Sequence, residues 1–305
     1  MKILFLGAGG VGGYFGGRLI ESGADAVFLV RPDRQARLKA DGLRVESPHG
    51  NLTLSVATVT RDAVEPVYDL VVVAPKSYDL EDAIASIQPA VGPGTFVLPL
   101  LNGVVHMDVL DAQLGRNRVL GGVAHIAATM SAEGTIRQLT EMHSLTVGGR
   151  DPGTQTMAQA FIEMCSTARF DSRLVSNIES VLWEKWAFLA ALAGMTTLMR
   201  CPVGEIMDTD CGDRLARSLY SECLGVAAAN DFPVEQTAQQ RALGMLTQKG
   251  SAFAASMLRD LESGQRTEHE HVLGEMVRSA ARHGLAAPIL DAAFTNMQIR
   301  ARRAP

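Results

Sequence analysis

The glycines of Gly7-Ala-Gly9-Gly10-Val11-Gly12, the arginine Arg31 and the lysine of Trp183-Glu-Lys185 are the residues whose types and spacing point most directly to chemistry. The glycine run follows a short apolar segment and opens a helix-periodic one, so it lies in the order strand, turn, helix. In that order Gly7 permits a tight turn, Gly9 lets the backbone approach a pyrophosphate, and Gly12 allows the helix to pack closely on the strand. The free N–H groups of the first helical turn, those of Gly10 and Val11 among them, then face the anion. At the end of the second strand, where an acid would hold a ribose 2′-hydroxyl, the chain carries Arg31, and Pro32 moves the nearest acid, Asp33, past the strand tip. A planar guanidinium suits a 2′-phosphate, which predicts NADP(H) over NAD(H); an ordinary surface arginine is the competing reading.

These residues need a scaffold, and the surrounding pattern supplies one. Runs rich in branched residues at Lys2 to Leu6, Ala26 to Val30, Asp69 to Ala74 and Thr95 to Leu98 predict strands. Helical periodicity over Val11 to Ser22, Arg34 to Ala40 and Leu80 to Ile87 fills the gaps, giving a Rossmann-type, doubly wound α/β domain. From Val119 to Gly149, glycine-punctuated segments such as Thr135 to Thr140 and Ser144 to Val147 predict antiparallel strands that extend the sheet. A helix near Thr154 to Ala168 and a last strand near Arg173 follow. The first domain is thus expected over residues 1–175. Residues 176–305 read as a second, all-helical domain with helices over Asn177 to Met199, Cys211 to Asn230, Val234 to Leu261, Thr267 to His283 and Ile289 to Arg300. Thr267 and Glu270 have the spacing of a capping box.

Composition narrows the function classes. A chain of 305 residues, 47% apolar and 20% charged, suits two globular domains of roughly 150 residues and excludes a disordered chain. The net charge of −5, with no basic block, argues against a nucleic-acid partner. Cys165, Cys201, Cys211 and Cys223 show neither CxxC spacing nor the density of a disulfide scaffold, and read as reduced core thiols of a cytoplasmic protein. Glycines interrupt the apolar start too soon for a signal peptide. The apolar run from Trp183 to Met199 is short and carries Glu184 and Lys185, so no membrane anchor is expected. His269 and His271 stand two apart, in different directions on a helix, while His106, His125 and His143 read as structural or solvated; no metal is expected.

Lys185 shares a helical face with Val181, Leu182, Leu189, Leu192 and Ala193. Burial among them would lower its pKa and make it a proton donor near neutrality, unless the stem merely covers apolar surface while the ammonium reaches water. Asn102, in Pro99-Leu-Leu-Asn-Gly103, and Lys76, ending Val-Val-Val-Ala-Pro-Lys, both follow strands at the carboxyl edge where open α/β sheets bind ligands. Asn-Gly is equally a turn, and Lys76 equally a solvated residue. Glu268 could serve only the dipole of its helix.

Taken together, the fingerprint, Arg31, Lys76, Leu-Asn102-Gly, Trp183-Glu-Lys185, Cys201-Pro-Val-Gly-Glu and Ser256-Met-Leu-Arg-Asp260 with Glu268 resemble the ketopantoate reductase (2-dehydropantoate 2-reductase) family from Met1 to about Val277. The resemblance implies an NADPH-dependent reduction of a small 2-oxo acid, 2-dehydropantoate to pantoate, as in pantothenate biosynthesis, and a homodimer through the helical domain. It implies that Lys185 is the general acid, that Lys76 and Asn102 lie at the nicotinamide and substrate, and that Ser256, Asp260 and Glu268 belong to the substrate pocket. Glu268 and Asn102 are counted with the catalytic group.

One departure bears on the substrate. Three asparagines that line the pocket in the best-known members correspond here to Leu189, Ala193 and Val203, and amides lost opposite a polar substrate cost roughly 1–3 kcal/mol for each group left unpaired. Two alternatives follow: a paralogous reductase of the same fold acting on a bulkier or more apolar carbonyl compound, and a non-catalytic NADP(H)-binding sensor. Retention of Lys185, Asn102 and Glu268 together argues against the sensor, which needs none of them.

Overall fold

The structure is a computed structural model that describes residues 1–303. The chain divides into two compact units, residues 1–101 with 106–178, and residues 102–105 with Glu179 onward.

The first unit begins with β1 (Lys2–Leu6), α1 (Gly10–Glu21), β2 (Asp25–Leu29) and α2 (Pro32–Asp41). Three short strands follow, β3 (Leu43–Glu46), β4 (Leu52–Leu54) and β5 (Ala57–Val59), then β6 (Leu70–Val73), α3 (Leu80–Ile87) and β7 (Phe96–Pro99). Strands β5-β2-β1-β6-β7 form one parallel sheet. Ile3 and Leu4 of β1 and Leu70 to Val73 of β6 are wholly or almost wholly buried, as expected for central strands covered on both faces. Parallel pairing brings the carboxyl ends of β1, β2, β6 and β7 to one edge, so the glycine loop, Arg31, Lys76 and the 100–102 segment all leave the sheet on the same side.

The remainder of the unit is α4 (Val105–Leu114), β8 (Gly121–Met130), β9 (Ile136–Gly148), α5 (Pro152–Cys165) and β10 (Asp171–Leu174). Here the structure corrects the expectation of an extended first sheet. β8 and β9 make a long antiparallel ribbon in a second sheet of order β10-β9-β3-β4, which meets the first through an isolated parallel bridge from Val97 to Val119. Strands β3, β4 and β5 leave no mark in the sequence because three or four residues are too few to establish a period of two. α5 starts two residues before the expected Thr154 because Asp151 and Thr154 cap it reciprocally, the Thr154 N–H donating to Asp151 Oδ1 at 2.9 Å.

The second unit is helical: α6 (Ile178–Met199), α7 (Val203–Met207), α8 (Gly212–Ala229), α9 (Gln236–Leu246), α10 (Ser256–Glu262), α11 (Glu275–Arg282) and α12 (Pro288–Arg303). The single helix expected over Val234 to Leu261 is two. Gly250, at φ +66°, breaks the run, and the segment after it turns to satisfy α7, whose Val203 and Gly204 N–H groups donate to the Phe253 and Ser251 carbonyls at 2.9 and 2.8 Å. The expected capping box does not form either. Thr267 Oγ1 pairs with His269 Nδ1 at 2.8 Å and Glu270 with Arg278 at 3.2 Å, and the chain enters a π-helical turn, Glu270–Gly274, before α11.

Cys165 and Cys223 are buried, and burial raises both thiols, Cys165 to about 12. Cys211 is exposed, so it is not a core thiol as expected. Among the described residues no helix is long and apolar enough to cross a membrane, and no group of three or more His, Cys, Asp or Glu could hold a metal ion.

Candidate active site

In the first unit the site is built from backbone. Gly7 takes φ +83°, and its N–H donates to the Leu29 carbonyl at 2.8 Å, tying the loop to the end of β2. A Cβ on Gly12 would stand 3.0 Å from the Gly7 carbonyl, so a larger residue there would force α1 off the loop. Gly9 is the N-cap of α1 and offers no side-chain cap, while a Cβ built on it or on Gly7 meets nothing within 4 Å. The first N–H groups of α1 therefore lack a side-chain cap, and the space beside Gly7 and Gly9 is open, a cradle suited to a dinucleotide pyrophosphate. A Cβ on Gly10, by contrast, would meet the Ala128 carbonyl of β8 at 3.1 Å, so Gly10 serves close packing against that strand.

Arg31 is 84% exposed at the tip of β2, and its guanidinium lies 3.4 Å from Asp82. Arg61 approaches the same carboxylate at 4.0 Å, so the structure brings a second arginine beside Arg31 that its place in the sequence did not reveal. Arg34 was also overlooked. Its Nη2 donates to the Ala8 carbonyl inside the glycine loop and to the Gly134 carbonyl of the β8–β9 turn, both at 3.1 Å, and partial burial lowers its pKa. Lys76 is half-buried and begins the 3-10 turn Ser77–Asp79 after β6.

In the second unit the site is built from side chains. Lys185 lies in the second turn of α6 as a half-buried residue. Burial around its ammonium pushes its pKa down from 10.5 to about 8, and the Glu268 carboxylate partly opposes that fall. Glu268 is 9% exposed, two residues before the π-helical turn. A π-turn shifts the i→i−4 ladder and frees backbone groups, and here the Trp186 indole N–H donates to the Val272 carbonyl at 3.0 Å. The neighbour of Lys185 thus fastens the segment that carries Glu268 onto α6.

Asn102 is half-buried, and the carbonyl of its peptide accepts from the His271 ring. Lys185, Glu268, His271 and Asn102 are therefore linked by contacts or by their mutual fields within one unit. The one sequence signal that points to His271 is its place three residues after Glu268, one helical turn on.

The three positions that depart from the family asparagines are not equivalent. Leu189 is half-buried one turn along α6 from Lys185, whereas Ala193 is 3% exposed and Val203 fully buried in the helical core. Leu189 alone of the three has surface left to offer a ligand. Ser256 is exposed at the first position of α10, and Asp260 is half-buried one turn later on the same face.

Comparison with known proteins places both units in one family. The family model described as Ketopantoate reductase PanE/ApbA matches residues 3–152, and that of its C-terminal region matches residues 177–300. The chain belongs to the ketopantoate reductase family. It is 34% identical to the "Uncharacterized oxidoreductase YkpB" of Bacillus subtilis, over 98% of each chain. The crystal structure of 2-dehydropantoate 2-reductase from Geobacter metallireducens GS-15 superposes with a TM-score of 0.88 at 26% identity, covering 98% of this chain and 99% of that one. The ternary structure of D-mandelate dehydrogenase with NADH and anilino(oxo)acetate shares the fold, with a TM-score of 0.89 at 20% identity over 100% of this chain and 99% of that one. This ketopantoate reductase family member is an oxidoreductase, with a Rossmann-type first domain and a helical second one.

Proposed function

We propose that the protein reduces the carbonyl of a 2-oxo acid to the 2-hydroxy acid at the expense of NADPH. The observation that carries the reading is the place of Lys185, half-buried in α6 and within the field of the buried Glu268 carboxylate. Burial there brings its pKa down to about 8, so that the ammonium is charged at neutral pH and still a ready proton donor. A bound nicotinamide supplies the hydride. The glycine loop and the N-terminus of α1 would hold its pyrophosphate, and Arg31 with Arg61 would meet the 2′-phosphate. Lys76 and Asn102 would orient the reacting groups. Lys185 delivers its proton to the carbonyl oxygen as negative charge develops there, and its own charge stabilises that oxygen until the O–H bond has formed. Glu268, Ser256 and Asp260 would bind the remaining polar groups of the substrate.

For the substrate, 2-dehydropantoate is the family's compound, but Leu189 favours a second reading, a 2-oxo acid with a larger apolar body. A compact hydroxylated acid set against Leu189 loses water from its hydroxyl without gaining a partner. The D-mandelate dehydrogenase that shares this fold was solved with a compound bearing an aromatic ring, in keeping with that choice. The test is NADPH oxidation with 2-dehydropantoate and with aliphatic and aryl 2-oxo acids, in the wild type and in Leu189→Asn. Higher kcat/KM for the apolar acids, moved toward 2-dehydropantoate by the change at Leu189, is expected. Turnover of 2-dehydropantoate far above every apolar competitor would remove the second reading, and no turnover of any 2-oxo acid would remove the first.

A further inference from the structure

Asn102 follows the carboxyl end of β7, and the turn it opens is held from one side by a single ring. Gly103 has φ +83°, and a Cβ placed on it would meet His271 Cδ2 at 3.2 Å and Nε2 at 3.3 Å. The imidazole therefore lies in van der Waals contact with the turn, in space that only glycine leaves open. The same ring donates to the carbonyl of Asn102.

His271 is itself fixed. It lies in the π-helical turn Glu270–Gly274, a local geometry that is rare and concentrated at functional sites. Its N–H donates to the Glu268 carbonyl at 3.1 Å, and the next residue, Val272, is tied by its carbonyl to the Trp186 indole. Charged neighbours surround it from several directions: Glu268 before the turn, and Glu275 and Arg278 from α11. One brace thus runs from α6 at Lys185 and Trp186, through the π-turn, to the backbone of Asn102.

We infer that His271 is a positioning residue, whose ring holds the Asn102–Gly103 turn against the segment carrying Glu268 and thereby fixes the backbone from which the Asn102 carboxamide reaches substrate and nicotinamide. The inference rests on the reading of this site as a carbonyl reductase. In that chemistry a misplacement of about 1 Å in an orienting group costs rate out of proportion to the stability lost. A residue that only filled space would be replaced by another ring of similar size without consequence.

The experiment compares His271→Phe, which keeps a ring and removes the donor, with His271→Asn and His271→Gln, which restore an N–H at the two ring-nitrogen positions. Amide hydrogen exchange over residues 102–105 is read first, in the absence of substrate. Exchange should quicken in His271→Phe and be restored by at least one amide variant, while NADPH affinity and global unfolding stay near the wild type. Unchanged exchange in the Phe variant would overturn the inference. With a 2-oxo acid substrate, His271→Phe should lower kcat/KM about five- to tenfold, the loss expected of one orienting hydrogen bond. It should also add nothing further in an Asn102→Ala background, because the two act through one element. Additive losses would mean that His271 works independently of Asn102, against the inference. If the wild type reduces no 2-oxo acid, the reductase reading fails, and the exchange measurement still decides whether His271 holds the turn.

Discussion

A proton donor with a pKa of about 8 leaves a signature that an ordinary lysine does not. Only the ammonium form of Lys185 can protonate the carbonyl oxygen, so kcat/KM for reduction should be flat below neutrality and fall above pH 8, by roughly tenfold between pH 7 and pH 9. A lysine at its usual 10.5 would stay charged across that interval and give no limb there. Glu268 is the group that raises this pKa against burial, so Glu268→Gln should move the limb to lower pH and lower the rate at neutrality beyond any effect on KM. The measurement is kcat/KM for a 2-oxo acid from pH 6 to 10 at saturating NADPH, in both proteins. A limb near 10.5, or one unmoved or raised by Glu268→Gln, would refute the reasoning. Stability carries the same signature with the opposite consequence. Between pH 8 and 10.5 the unfolded chain binds a proton at this lysine that the folded chain does not, so the contribution of Lys185 makes the fold more stable as pH rises through that window.

Three further outcomes are expected. Lys185→Ala should lower turnover by about 10²–10⁴-fold, the range for general acid catalysis, with NADPH affinity nearly unchanged; titration of the cofactor alongside single-turnover kinetics separates the two. Arg31→Ala should weaken NADPH binding roughly tenfold, near the lower end for a charge-assisted hydrogen bond because the side chain is largely exposed, and leave NADH binding as it was. Equal affinities of the wild type for the two cofactors would end that claim. Trp186→Phe leaves the carbonyl of Val272, a residue 4% exposed, without its indole donor, so it should cost about 1–3 kcal/mol in denaturant unfolding; a stability equal to the wild type would mean that the π-turn needs no such tie.

Much of the scaffold was legible because it is local. The glycine loop announces itself through the strand before it and the helix after it. α8 is long enough for a 3.6-residue period to stand clear of noise, and α6 is legible instead as a long, nearly continuous apolar run without helix breakers. Lys185 could be singled out because its neighbours on one helical face are apolar, and Arg31 because a strand end is a place that sequence order defines. The order and spacing of the motifs carried the family, since each lies within a few residues of the element that presents it.

What the tertiary structure alone decided are the matters that depend on residues far apart in the chain. Strands β3 and β5 exist because β9 and β2, in other parts of the chain, pair with them, and β4 because β3 across a short turn does, not because three or four residues prefer to be extended. The ribbon of β8 and β9 belongs to a second sheet because β3 and β10 border it, and nothing within residues 119–149 encodes those neighbours. Thr267 and Glu270 have capping-box spacing, yet His269 and Arg278 take their side chains and the chain turns into a π-helix instead. Arg34 grips a loop 26 residues earlier, and His271 reaches the backbone of Asn102. The pKa of Lys185 is of the same kind: its helical face foretells burial, but the depth of that burial and the carboxylate opposing it are set by chains folding back over α6. Sequence periodicity reports which way a side chain faces along its own element, whereas the field and the partners it finds there are summed over everything the fold brings near.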